Sequence, residues 1–224
     1  MIAVAIVVLG LCLKSGFGNI AQNKRVVTVR GLCEKEFKAN KVTWPIVTKQ
    51  MGNDLPSIYT QTEKDIEAIK QYLFSNGITE EEISLNAPQV YDLNANRYSD
   101  QNYKYRYQVV NVLVVTSDKV DKVRELIQGQ SELLKKNIAI VAGDYEYQTT
   151  FEYTDLNAIK PEMIAEATQN ARAAADRFAA DSHSTIGKIQ DATQGQFSIN
   201  DRDQYTPYIK TIRVVTSITY FLED

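Results

Sequence analysis

The sequence predicts an α+β fold. Strand-like runs rich in β-branched and aromatic residues recur along it, and two segments of helical periodicity stand between them. A long alanine-rich helical stretch then leads into two further strand-like runs. With 224 residues, 44% of them hydrophobic, the chain is long enough to bury a sizeable core.

The first residues carry an unbroken apolar run, Ile2 to Leu13, followed by Lys14. It is shorter than the roughly 20 residues of a spanning helix, although Gly16, Phe17 and Gly18 extend it if Lys14 snorkels. No basic segment precedes it and no small-x-small cleavage site follows, so residues 1–22 read as an uncleaved export signal or short membrane anchor, with a cleaved signal as the alternative. Either export reading places residues 23–224 outside the cytoplasm; the third reading of the run is a buried N-terminal core helix.

Val26 to Phe37 and Lys41 to Met51 both read as strands. In the second, Val42, Trp44, Ile46 and Thr48 share one face and Pro45, on the other, marks an edge or bulge. A hairpin through Ala39-Asn40 is expected between them. Leu55, Ile58, Tyr59, Thr62, Ile66, Ile69 and Leu73 recur at helical spacing. Asp54 caps the start of that helix, Pro56 sits in its first turn and Asn76-Gly77-Ile78 closes it.

Glu82 to Leu93 and Tyr103 to Thr116 read as strands around a polar, tyrosine-rich connection. Ser117 and Asp118 offer N-caps for a second helix with Val120, Val123, Leu126, Ile127 and Leu133 on its apolar side, and Tyr145 to Asp155 reads as a strand. From Lys41 to Asp155 the order is βαββαβ, the ferredoxin-like plan, here preceded by an extra strand. A third helix from about Pro161 to Ala180, with Ile164, Ala167, Ala171, Ala174, Ala175 and Phe178 in one stripe, is followed by a hairpin of Ile186 to Ile199 and Tyr208 to Leu222. Residues 23–155 are thus expected to form a ferredoxin-like lobe and residues 156–224 a helix-plus-hairpin lobe.

The chemistry the sequence offers is sparse. His183 is the single histidine, which removes histidine-rich metal sites and Cys/His zinc clusters, so no metal or cofactor is expected. It falls where the third helix ends, a place for a dipole contact or a left-handed backbone. Cys12 and Cys33 lie in the apolar run and in a strand, and no bridge between them is expected. Nucleophile elbows, P-loops and dinucleotide fingerprints are missing, and Glu80, Glu81 and Glu82 read as a cap or a solvated face. A net charge of -3 and a pI near 5.4 argue against nucleic acid as a partner.

The best recognition segment is Arg97 to Gln108. There Tyr98, Tyr103, Tyr105 and Tyr107 interleave with Arg97, Lys104 and Arg106, a pattern suited to stacking on sugars, bases or a partner protein. An amphipathic strand with tyrosines on one face explains the same pattern without a ligand.

Three stretches carry a family resemblance: GITEEEIS (Gly77 to Ser84), YRYQVVNVLVVTSDKVDKVRELI (Tyr105 to Ile127) and ATQNARAAADRFAADSHSTIGKI (Ala167 to Ile189). With them the chain resembles the SIMPL-domain family of bacterial exported proteins, YggE-like and periplasmic immunogenic proteins, and in Gln194 to Asp203 and Pro207 to Asp224 its anchored Gram-negative branch. Ala39-Asn40 stands where many members carry Pro-Asp, and His183 stands at a position where glycine is expected. The resemblance implies an α+β envelope protein linked to stress tolerance, with ring assembly in some members and no catalytic residues to carry over.

The sequence therefore points to a non-enzymatic periplasmic or cell-envelope protein, tethered to the inner membrane by its N-terminal segment, that forms a homo-oligomer and acts as a scaffold or binding module. The alternative is a glycan- or peptide-binding module using Arg97, Tyr98, Tyr103, Tyr105, Arg106 and Tyr107. An enzyme of unannounced chemistry is the third reading.

Overall fold

The computed structural model describes residues 25–95, 103–141 and 145–223 and shows the α+β class that the sequence predicts, with its strands in two antiparallel sheets. The elements run β1 (Val26–Lys38), β2 (Lys41–Gly52), α1 (Leu55–Ser75), β3 (Ile83–Leu85), β4 (Gln89–Asp92), β5 (Tyr107–Ser117), α2 (Val120–Gly129), α3 (Ser131–Lys135), β6 (Thr150–Glu152), α4 (Leu156–Asp181), β7 (Thr185–Gln194), β8 (Ser198–Asp201) and β9 (Ile209–Glu223), with short 3-10 turns at Glu80–Glu82 and Tyr145–Tyr147. Two compact units divide the chain. Of the described residues, one comprises those up to Lys35, those in Asn157–Ile199 and those from Ile212 on; the other comprises those in Glu36–Leu156 and Asn200–Thr211.

In the second unit the sheet order is β3-β5-β2-β6, with β4 also on β5. β2 and β5 hold unbroken register from Val42↔Ser117 to Gly52↔Tyr107. The period of two puts Val42, Trp44 and Ile46 on one face with Leu113 and Val115. There they form a core with Ile69, Tyr72 and Leu73 of α1, Val123 and Leu126 of α2, and Leu133 of α3. Further along, this face turns polar: Thr48, Asn111, Thr62 and Asp65 are buried, and Asp65 accepts from the amides of Gln50 at 2.5 Å and Gln61 at 2.8 Å.

Several boundaries and one pairing differ from expectation. The hairpin through Ala39-Asn40 does not form, because β1 pairs with β9 while β2 pairs with β5 and β6. The buried Ala39 donates its N–H to the Tyr208 carbonyl at 2.8 Å. Asn40 donates to the Glu152 carbonyl at 2.9 Å, and its Oδ1 accepts from the Thr154 N–H at 2.8 Å. The expected strand from Glu82 to Leu93 breaks into β3 and β4 at Asn86 to Pro88, where the proline cannot donate to the ladder. The second helix divides after Gly129, over whose Cα the Tyr72 hydroxyl lies, and its expected caps give way to Lys119, whose N–H donates to Ser117 Oγ at 3.0 Å. Tyr145 to Asp155 holds only the 3-10 turn and β6.

In the first unit, α4 begins at Leu156, five residues before its expected start, and Pro161 lies inside it near the N-terminal end. Its buried row is Met163, Ala167, Ala171, Ala175 and Ala179, an i, i+4 series. The expected stripe is corrected on this point. Ala174 and Phe178 precede buried alanines by one position, are rotated by about 100°, and stand exposed. Ala171 and Ala175 pack with Val27 of β1 and with Ile218 and Tyr220 of β9.

Three helix ends share one geometry. The Gly77 N–H donates to the Phe74 carbonyl and that of Ile78 to the Leu73 carbonyl. Asn137 and Ile138 repeat this pattern on Leu134 and Leu133, as do His183 and Ser184 on Ala180 and Ala179. These are Schellman closures with a left-handed residue in each, at φ 87° for Gly77, 63° for Asn137 and 55° for His183.

Candidate functional site

The tyrosine segment sits where β4 meets the start of β5. Arg97 and Tyr98 lie outside the described residues. Tyr103 and Tyr105 are 42% and 37% exposed, and Val90 and Tyr91 of β4 are exposed as well. Tyr107 is half-buried as the first residue of β5, opposite both Gly52 and Asp92. Arg106 braces the local backbone. Its Nε and Nη2 donate to Asp92 Oδ2 at 3.1 and 2.9 Å, and its N–H donates to Asn53 Oδ1 at 2.9 Å. Its guanidinium lies 4.8 Å from the centre of the Tyr107 ring, as Lys104 Nζ lies 5.2 Å from that of Tyr105. The interleaved cations therefore lie against the faces of Tyr105 and Tyr107, while the Tyr103 and Tyr105 side chains keep over a third of their surface exposed.

A second cluster joins residues from two of the motifs singled out in the sequence. Glu82 Oε1 accepts from Ser117 Oγ at 2.5 Å; Oε2 accepts from Lys119 Nζ at 2.9 Å and from the Thr79 N–H at 2.8 Å. Lys119 Nζ also donates to the Gly77 carbonyl at 3.0 Å. Burial opposes the charge on Glu82, but the hydrogen bonds from Lys119, Ser117 and Thr79 outweigh it and hold the carboxyl down at about 2. A carboxylate held this firmly in its ionised form is a poor general acid or base near neutral pH and a good fastener. Of the three acidic residues read as cap or solvated face, Glu82 is the cap.

The isolated reactive groups have structural surroundings. Cys33 is free and 1% exposed, and burial, with Glu166 beside it, pushes its thiol up, away from thiolate chemistry. Lys35 bridges Glu162 and Glu166 at 2.7 and 2.8 Å. His183 is the left-handed helix closure described above. Among the described residues no group of three or more His, Cys, Asp or Glu side chains is arranged to hold a metal ion, and no helix is long and apolar enough to cross a membrane.

A cavity of about 650 Å³ lies in the second unit, on the outer edge of β2. Trp44, Ile127, Ile140 and Phe151 give it apolar walls, and among the described residues Asp201 and Lys210 are the charged ones that line it. Lys210 is 7% exposed and paired with Asp201. Sequence reasoning missed this pair, although one signal existed. Lys210 continues the inward alternation of Ile212 and Val214, where an apolar residue is the ordinary choice.

These elements belong to one recognisable whole. The family model SIMPL, described as a protein of unknown function (DUF541), matches residues 27–216, from the second residue of β1 into β9. The chain belongs to the SIMPL family. No curated protein matches it. In this SIMPL chain the matched region takes in the Glu82 cluster, the alanine row of α4, the exposed tyrosines and the cavity on β2. The family description assigns none of them a role.

Proposed function

We propose that this SIMPL protein is a non-enzymatic component of the bacterial cell envelope, exported and held at the inner membrane by its N-terminal segment. Its body self-associates and serves as a scaffold or binding module in stress tolerance. The observation that carries the reading is the state of β7 and β8. From Lys188 to Gln194 β7 is exposed at every residue, as is the whole of β8, with Ile189 52% and Ile199 39% exposed. β7 is also an end strand, bonded to β9 on one side. Strands solvated on both faces bury little apolar surface of their own, and an open edge is a template for another chain. Strand pairing with a second copy covers the open edge, and packing against that copy covers the exposed faces.

Light scattering coupled to size exclusion on the chain from Asn23 onward tests assembly. An oligomer that Ile189→Lys disperses is the expected result, and a monomer at high concentration overturns the scaffold reading. Fractionation of cells expressing the full chain tests the tether. The exposure of Tyr103 and Tyr105 supports the second reading, a glycan or peptide site on the tyrosine segment, which glycan-array binding lost in Tyr103→Ser/Tyr105→Ser checks.

A further inference from the structure

We infer that the cavity on the outer edge of β2 is a binding site for a small zwitterion with an apolar side chain, that is, a free apolar or aromatic α-amino acid. The site is separate from the tyrosine segment and does not depend on assembly.

The cavity exists because the outer edge of β2 is only partly covered. β6 pairs with Lys41 to Thr43, and the chain at Ile140 to Val141 covers Thr48 and Val47, with the Val141 N–H donating to the Val47 carbonyl at 2.8 Å. Trp44 to Ile46 lie in the gap. Main-chain groups alternate in direction along a strand, so Pro45 points outward as Val47 does. An ordinary residue there would leave an unpaired N–H facing the gap. Proline has none, and the opening presents a carbonyl acceptor without an orphan donor.

The polar lining then selects the ligand. Lys210 is more than nine-tenths buried beside the half-exposed Asp201, and a buried ammonium is seldom a better structural choice than a well-packed apolar residue. Lys210 and Asp201 carry one positive and one negative charge. A simple carboxylate drawn to Lys210 would meet Asp201, and a simple amine drawn to Asp201 would meet Lys210. A molecule carrying both charges on one carbon satisfies both residues, and its ammonium has the Pro45 carbonyl as a further acceptor. The walls of Trp44, Ile127 and Phe151 suit an apolar side chain, and the volume falls within the roughly 300–1,000 Å³ of small-molecule sites.

Trp44 is the only tryptophan and lines the cavity, so its fluorescence reads occupancy directly. The full chain is titrated with L-phenylalanine, with 3-phenylpropionate, which lacks the ammonium, and with phenethylamine, which lacks the carboxylate. The expected result is a saturable change with L-phenylalanine and binding at least about tenfold weaker for each analogue. Asp201→Asn, at a half-exposed side chain, should shift preference toward 3-phenylpropionate, and Lys210→Met toward phenethylamine, with circular dichroism checking that each variant is folded. The absence of a saturable response to L-phenylalanine, equal binding of all three probes, or an unchanged preference in folded Asp201→Asn overturns the proposal.

Discussion

Gly31 of β1 and Ala171 of α4 meet backbone to backbone. A methyl group on Gly31 would fall 2.3 Å from the Ala171 amide nitrogen and 1.9 Å from the Ala167 carbonyl oxygen. Neither atom belongs to a side chain that can swing away, so the helix must leave the sheet to admit one carbon. Gly31→Ala should therefore destabilise the protein by about 3 kcal/mol. Ala171→Leu should do the same from the opposite side, while Ala174→Leu, on the exposed face, should stay within about 0.5 kcal/mol. Urea unfolding followed by circular dichroism measures all three.

This contact also marks where the sequence was legible and where it was not. The helical spacing from Leu55 to Leu73 and the Asp54 cap placed α1 nearly to the residue, and the Asp54 side chain does accept from the Ser57 N–H at 3.1 Å. The alanine run marked α4 and its close packing. Ala167, Ala171 and Ala175 of the expected stripe are buried and Ala174 and Phe178 are not, because alanines at both 174 and 175 leave the edge of the buried face unmarked in the sequence. Pairing between strands far apart in sequence was equally silent: β1 meets β9 about 180 residues later, and local pattern carries no signal for that. Of the candidate site, the exposed Tyr103 and Tyr105 were legible as aromatic material, whereas Arg106 looks in sequence like a recognition residue and in space is a brace for Asp92.

The left-handed backbone at His183 carries a steric cost that glycine avoids. At φ 55° the imidazole-bearing Cβ crowds its own backbone, with a penalty of about 1 kcal/mol relative to glycine. His183→Gly should raise stability by about 0.5–1 kcal/mol and leave the α4 closure in place, because the Ser184 N–H to Ala179 carbonyl bond of 2.9 Å involves main chain alone. Gly77→Ala, at φ 87°, should lower it by about the same amount. Thermal unfolding of the two variants should give opposite signs of the change in Tm, and equal signs would sink this account of the two helix ends.

Glu82 makes stability depend on acid. Its ordinary value is 4.5 and its folded value about 2, a depressed carboxylate. Such a group stabilises the fold fully above about pH 4.5, and the contribution is lost as pH falls toward 2. With the carboxylate's side chain only 14% exposed, about 2 kcal/mol is a reasonable magnitude. Glu82→Gln should cost that much at pH 7 and flatten the fall in stability between pH 4.5 and 2. A variant whose acid profile parallels that of the parent protein rules this residue out as the source.

Thr216 Oγ is a buried hydroxyl without a hydrogen-bond partner among the described residues, on an inward position of β9 flanked along the strand by the buried Val214 and Ile218. Leaving a hydroxyl unsatisfied in such a place costs about 1–2 kcal/mol. Thr216→Val keeps the branched shape that suits a strand and removes the orphan oxygen. It should raise stability by about 1 kcal/mol, readable as an increase in the urea midpoint at unchanged slope.

The tyrosine segment separates into recognition and structure, and paired variants distinguish the two. Tyr103 and Tyr105 offer exposed rings outside the strands, so Tyr103→Ser/Tyr105→Ser should unfold within about 0.5 kcal/mol of the parent. Arg106 instead ties the start of β5 to Asp92 at the end of β4 and to Asn53 beyond β2. The Arg106–Asp92 pair is solvated, so Arg106→Ala should act on this strand end locally rather than on global stability. Hydrogen exchange should then quicken first at Tyr107 to Val110, the residues paired with β4. Loss of self-association or glycan binding in the double tyrosine variant, with exchange unchanged, assigns these rings to contact with a partner. Accelerated exchange in that variant would instead make them part of the packing, and the recognition reading of the segment would fall.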